Sequence, residues 1–196
     1  MRESGVMALQ PRLHTASAIR FDPALAHTIT TFVNEGYRYK SNQNWHPDPS
    51  PRFPNPDSIH PELGDDGAFA VIYDPRNETR PIACAAMTRW HGDLEGYVAA
   101  GERGWEIKTV TTQVDWMRRG LAGRCVGALV ERAVEDEDCG SERKVQIWVQ
   151  AVEELNGAYW RKKGWVEVRA YQKPVGHWGS KLGYRLLVML QEFERK

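Results

Sequence analysis

The stretch from Trp105 to Ala133 restricts the possible folds of this chain more than any other. Trp105, Ile107 and Thr109 alternate with Glu106, Lys108 and Val110, the period-two pattern of a strand over residues 105–112. After the turn-forming run VDWMRRGLAG, the residues Leu121, Cys125, Val126, Leu129, Val130 and Ala133 recur at helical spacing and predict the strongest amphipathic helix in the sequence. A strand that feeds a helix through a short glycine-bearing turn aims several main-chain N–H groups at one point, where the helix dipole adds its positive end. Gly120 and Gly123 let a ligand reach backbone that a Cβ would obstruct, and Arg118, Arg119 and Arg124 bring positive charge. The unit suits a diphosphate, although a plain helix start with solvent-facing arginines reads equally well. Neither the G-x-x-x-x-G-K-[ST] loop nor the G-x-G-x-x-G fingerprint is present.

The flanking sequence supplies a mixed α/β order. Residues 14–21 read as a strand, and Asp22 followed by Pro23 predicts the start of a helix over about 23–37, with Leu25, Ile29, Phe32 and Val33 on its apolar face. From Ser41 to Asp66 six prolines (Pro47, Pro49, Pro51, Pro54, Pro56 and Pro61) exclude a long regular element, so a long loop is expected, either a lid or disordered. Ala68–Tyr73 and Ile82–Trp90 read as an antiparallel hairpin. Further strands are expected at 144–150, 165–172 and 183–190, with a short helix over Leu155–Lys163 that stops at Gly164. Irregular interleaving of helices and strands points to a mixed sheet in one domain over 14–196, behind a flexible tail at 1–13.

Composition closes off several classes of function. Lys plus Arg and Asp plus Glu number 26 each, so the 196-residue chain carries no global field for nucleic acid or a membrane surface. The three cysteines, Cys84, Cys125 and Cys139, fit neither a zinc pattern nor a disulfide framework, and no apolar run nears the roughly 18 residues of a membrane span. The N-terminus lacks the apolar stretch of a secretory signal, so the expected setting is the cytoplasm.

With these residues in view, Glu106–Glu131 together with NGAYWRKKGW (Asn156–Trp165) resembles the acetyl-CoA-binding core of the GNAT acetyltransferases. Met117-Arg118-Arg119-Gly120-Leu121-Ala122 matches that family's loop pattern except at its first position, where Met117 replaces Gln or Arg. The resemblance covers the second half of the chain well and the first half only by element order. It implies a mixed, mostly antiparallel seven-stranded sheet flanked by helices, in which the strands at 105–112 and 144–150 run parallel and splay apart. It also implies acetyl-CoA as co-substrate, no metal, and N-acetyl transfer by direct attack of an amine. By the same resemblance Thr112, Gln113 and Val114 meet the acetyl and pantetheine end through backbone groups, with an oxyanion-holding N–H near Val114. Met117, Arg118, Arg119, Gly120, Leu121, Ala122 and Gly123 cradle the pyrophosphate, and Asn156, Tyr159 and Trp160 contact the cofactor.

Where many relatives carry a tyrosine that protonates the leaving thiolate, this chain has Trp160; Tyr159 is one residue off. A helix turns about 100° per residue, so Tyr159 takes that role only after a local shift. An amine of ordinary pKa costs on the order of 4 kcal/mol to deprotonate at neutral pH, and Glu106 falls where the histone-acetylating branch carries its base. The alternative for Glu106 is a solvent-facing or arginine-paired carboxylate, with His91 and Asp93 as fallback bases. Trp45, His91, His177 and Trp178, together with Lys181, Tyr159 and Trp160, are candidates to border a small amine or amino acid acceptor. The same residues also admit plain structural roles. The rival readings are transfer of another acyl group, and a catalytically weak CoA-binding or interaction module; a homodimer is compatible with each.

Overall fold

A computed structural model describes residues 9–38, 44–46, 50–136 and 143–195. Its sheet has seven strands: β1 (Arg12–Thr15), β2 (Ala68–Asp74), β3 (Asn77–Arg89), β4 (Trp105–Thr112), β5 (Lys144–Val152), β6 (Val166–Lys173) and β7 (Tyr184–Glu194). They lie in the order β1-β2-β3-β4-β5-β7-β6. Every neighbouring pair is antiparallel except β4 and β5. The parallel pairing joins Trp105 to Ile147, Glu106 to Trp148 and Ile107 to Val149, and it ends there although both strands continue. The expected splay is therefore present, and it opens towards Lys108–Thr112 on one side and Gln150–Val152 on the other.

Helices cover both faces. On one, α4 (Leu121–Glu135) lays Leu121, Cys125, Leu129 and Ala133 on Ile72, Ala85, Ile107 and Ile147. On the other, α1 (Ala16–Phe21), α2 (Pro23–Arg38) and α3 (Ile59–Leu63) bury Ile19, Ile29, Val33, Phe53, Ile59 and Leu63 against Phe69, Val71, Cys84 and Ala86. A fifth helix, α5 (Ala158–Lys162), follows a π turn at Glu153–Gly157. Among the described residues no helix is long and apolar enough to cross a membrane.

Three expectations need correction. The strand read over 14–21 stops at Thr15, because the Thr15 hydroxyl accepts from the Ala18 N–H and starts α1, after which Asp22 caps α2 by accepting from Leu25 N–H. β1 starts at Arg12, inside the expected tail, of which residues 1–8 lie outside the described residues. The proline-rich loop holds helix at Pro56–Ser58 and Ile59–Leu63. Pro61 is tolerated there because it sits in a first turn, whose N–H groups have no intrahelical acceptor to lose. Asn34 of α2 pins this region by donating to the Phe53 carbonyl and accepting from the Phe53 N–H, each at 2.9 Å. Lastly, the short helix expected from Leu155 is a π turn up to Gly157 and only then α-helical. Cys139 lies outside the described residues.

Candidate active site

The site forms where β4 leaves β5. A bulge shapes this point: Cys84 pairs with Thr111 and Ala86 with Lys108, so Thr109 and Val110 together face the single residue Ala85. Thr109 takes a positive φ of 54°, uncommon for a β-branched residue. Glu106 and Lys108 thus lie on the α2 face, while Val110 packs with the α4 core.

Beyond β4 the chain makes the short turn Val114–Trp116, and then Arg118 and Gly120 both adopt left-handed conformations, with φ of 62° and 76°. Gly120 is the N-cap residue of α4 and contributes no side-chain cap. Among the described residues no acceptor meets the N–H groups of Arg118, Arg119, Gly120, Leu121, Ala122 or Gly123; the first bond of the helix is Arg124 N–H to Gly120 O. Arg118–Gly120 are exposed, so this run of six open donors lies at the surface, at the positive end of a four-turn helix, an arrangement that suits an anion. A Cβ on Gly120 would meet nothing within 4 Å. Leu121 is buried, whereas Met117 is exposed.

The three arginines differ in what they offer. Arg119 folds back to donate to Asp115 O and lies over the Trp116 ring, while Arg124 donates to Leu9 O. Gln113 spends its N–H on Ile82 O at 2.9 Å, so the main-chain donor expected of it is not spare. Its side-chain Oε1 is buried without a partner among the described residues. Thr112 is half-buried, Val114 exposed, and Asn156 exposed on the π turn.

The π turn at Glu153–Gly157 runs directly into the helix that carries Tyr159 and Trp160. Trp160 is 3% exposed, packed edge-to-face on Trp165 in the α4 core, and its indole N–H has no partner among the described residues, so it does not face the groove as a cofactor contact should. Tyr159 is turned outward instead: its hydroxyl lies 3.6 Å, and Lys163 Nζ 3.8 Å, from where a Cβ on Gly123 would stand. Burial, with the Cys125 thiol nearby, pushes the Tyr159 phenol up, so it holds its proton at neutral pH.

Glu106 is 7% exposed. Its Oε1 accepts from Gln150 Nε2 at 2.9 Å and its Oε2 lies 3.3 Å from Lys108 Nζ. Lys108 reaches Glu62 as well, at 3.2 Å, and Glu62 is held by Arg52. Glu106 is neither solvent-facing nor arginine-paired. Asp93, a fallback base, is committed elsewhere: its fully buried carboxylate accepts from Arg169 Nε, the Tyr171 hydroxyl and the N–H groups of Glu95 and Tyr97. Burial alone would raise its pKa, but those bonds outweigh it and hold the pKa down. His91 is exposed just past β3.

On the α2 face of β5 and β7, Trp45 packs on Tyr184 with Val152 and Leu186. His46 N–H donates to Gly179 O, Lys181 N–H to Asn44 O, and Trp45 bridges Ser180, which ties residues 44–46 to the β6–β7 connection. His177 Nδ1 bonds the Tyr184 hydroxyl, and Trp178 stacks over the Tyr184 ring. The structure thus gathers Trp45, His177 and Trp178 around Tyr184, and leaves His91 out of the cluster. Tyr184, Lys108 and Gln150 were not singled out from sequence. The usable signals were Gln146 and Gln150 as polar breaks in an otherwise apolar strand, and Lys108 one strand period beyond Glu106. A depression of about 460 Å³ lies at the opposite end of β4 and β5, walled by Arg103, Arg143, Lys144 and Glu192, well away from the splay.

No family model matches this sequence and no curated protein matches it. Solved structures do match. An acetyltransferase of the GNAT family from Streptococcus pneumoniae superposes with a TM-score of 0.61 at 10% identity, over 94% of this chain and 99% of that one. NAA60 of Arabidopsis thaliana in complex with acetyl-CoA gives 0.60 at 9%, over 94% and 99%. A ribosomal-protein-alanine N-acetyltransferase from Brucella melitensis gives 0.56 at 16%, over 94% and 100%. The chain has the GNAT acetyltransferase fold.

Proposed function

We propose that this protein is an N-acetyltransferase that moves the acetyl group of acetyl-CoA to an amine by direct attack in a ternary complex. The open run of amides from Arg118 to Gly123, beside the splay of β4 and β5, carries the reading: a diphosphate satisfies those donors and leaves the rest of the coenzyme lying along the splay. The fold, and its occurrence in NAA60 of Arabidopsis thaliana in complex with acetyl-CoA, support the same choice. The acceptor is a small-molecule amine or amino acid bounded by the aromatic cluster around Tyr184. Glu106 takes a proton from the acceptor ammonium, directly or through water. The amine nitrogen then bonds to the thioester carbon and gives up its second proton to water, the C–S bond breaks, and the thiolate takes a proton from water or from Tyr159, which regains one from solvent. A CoA thiol has an ordinary pKa near ~8.5, so water suffices when the tyrosine is lost.

The buried Trp160 at the position of the usual acid favours a second reading, a CoA-binding module with weak or no turnover. Calorimetry with CoA, combined with mass spectrometry of products from a panel of acyl-CoAs and amines, decides between them. Binding with acetylated product supports the enzyme, and binding without any product supports the module. A different acyl chain preferred in the panel redirects the donor assignment, and no binding of CoA removes both readings.

A further inference from the structure

Glu106 does not stand alone beside the splay, and what holds it reaches the connection between β3 and β4. Leu94 N–H donates to Gln150 Oε1 at 2.7 Å, and Gln150 Nε2 donates to Glu106 Oε1 at 2.9 Å. Because a main-chain N–H only donates, it fixes which end of the Gln150 amide is oxygen; the NH₂ must then face Glu106, where it can meet only an acceptor. Leu94 is itself held. Its neighbour Asp93, with a fully buried side chain, accepts from Glu95 and Tyr97 N–H and from Arg169 and Tyr171 on β6. Arg169 also pairs with Glu102 further along the same connection, and Lys173 with Glu95. The β3–β4 connection is therefore fastened to β6, and one glutamine carries its position to the carboxylate.

We propose that Gln150 is a positioning residue for Glu106, setting the direction of its carboxylate from the β3–β4 connection; this rests on the assignment of Glu106 as base. Gln150 touches no reacting atom. It makes one oxygen of Glu106 a fixed acceptor, while the other lies 3.3 Å from Lys108 Nζ. The role needs both amide atoms of Gln150, since loss of either bond frees the rotation of the other group.

The test compares Gln150→Leu, Glu106→Gln and the double variant, in the full chain, with the amine of the panel that gives the fastest turnover. A misdirected base lowers kcat by about 10- to 100-fold. The acetyl-CoA Kd by calorimetry stays within about 2-fold, and Gln150→Leu adds less than about 2-fold when Glu106 is already Gln, because the two act as one unit. A kcat unchanged in Gln150→Leu, or losses that multiply in the double variant, overturns the proposal; a rise in amine KM alone reports only a structural role in the connection. Crystal structures of the wild type and of Gln150→Leu read the same claim without turnover, the expected result being a Glu106 carboxylate rotated away from its wild-type direction. An unmoved carboxylate overturns the positioning role even if no panel amine is acetylated, whereas absence of turnover in the wild type counts against the proposed function alone.

Discussion

A Cβ placed on Gly36 of α2 would lie 2.0 Å from the Thr111 hydroxyl oxygen on β4, so helix and strand touch backbone to side chain. Gly36→Ala must separate them. Overpacking of this kind costs about 1–3 kcal/mol, which for a chain of this size lowers Tm by roughly 2–10 °C in a thermal scan. Thr111→Ala in the same background should recover part of the loss, because it removes the clashing oxygen.

Gly120→Glu is expected to abolish acetyl-CoA binding in calorimetry while the protein stays folded. The substitution meets no atom within 4 Å, so no packing is lost, but φ of 76° strains any side chain by about 1 kcal/mol and a carboxylate enters the open amide cradle. Unchanged affinity would remove the cradle.

Glu106→Gln should lower kcat/KM most near neutral pH and least at high pH, since an amine that has already lost its proton in solution no longer needs a base. A mutant defect that is flat from pH 7 to pH 10 in a rate profile would move the base elsewhere.

Tyr159→Phe is expected to lower kcat by less than about 10-fold, because the leaving thiolate has an ordinary pKa near ~8.5 and water can protonate it. The measurement is steady-state kinetics with acetyl-CoA varied. A loss of about 100-fold or more would make the phenol obligatory rather than helpful.

The Asp93 carboxylate gives a pH-dependent term in stability. Its pKa is lowered in the folded state, so the stabilisation is fully present above the unfolded-state pKa near ~3.9 and disappears as pH falls through the folded value. Asp93→Asn should therefore cost about 1.5–3 kcal/mol in denaturant melts at pH 7, with the gap to wild type narrowing below about pH 4. A gap independent of pH would show that the charge on Asp93 is irrelevant to its hold on Arg169.

Much of this arrangement was legible before any coordinates. The alternation from Trp105 and the spacing from Leu121 to Ala133 located β4 and α4 because each element packs on one face, and packing on one face imprints a period. The Thr15 cap was missed because a β-branched residue in an extended run reads as strand until its hydroxyl is seen to accept from Ala18. The α3 helix was hidden by Pro61, whose cost vanishes in a first turn. At the site, the turn from Met117 to Gly123 was visible in its glycines and arginines, whereas Gln150 showed only as a polar break in an apolar strand: its two bonds join residues 44 and 56 positions away in sequence, and no local pattern encodes those partners.

The extra residue at Thr109 puts β4 out of step with itself. Under strict alternation Thr111 would share a face with Ile107; after the bulge it faces Gly36, and Val110 takes the place on the α4 side. Drawing Thr109 into regular pairing would exchange the inward and outward residues beyond it, setting the Thr111 hydroxyl in the oily layer and the Val110 isopropyl group against α2, while the Glu106 half stayed as it was. One residue of surplus length thereby lets a single strand present its acid to one layer at its start and still fasten a helix of that same layer at its end.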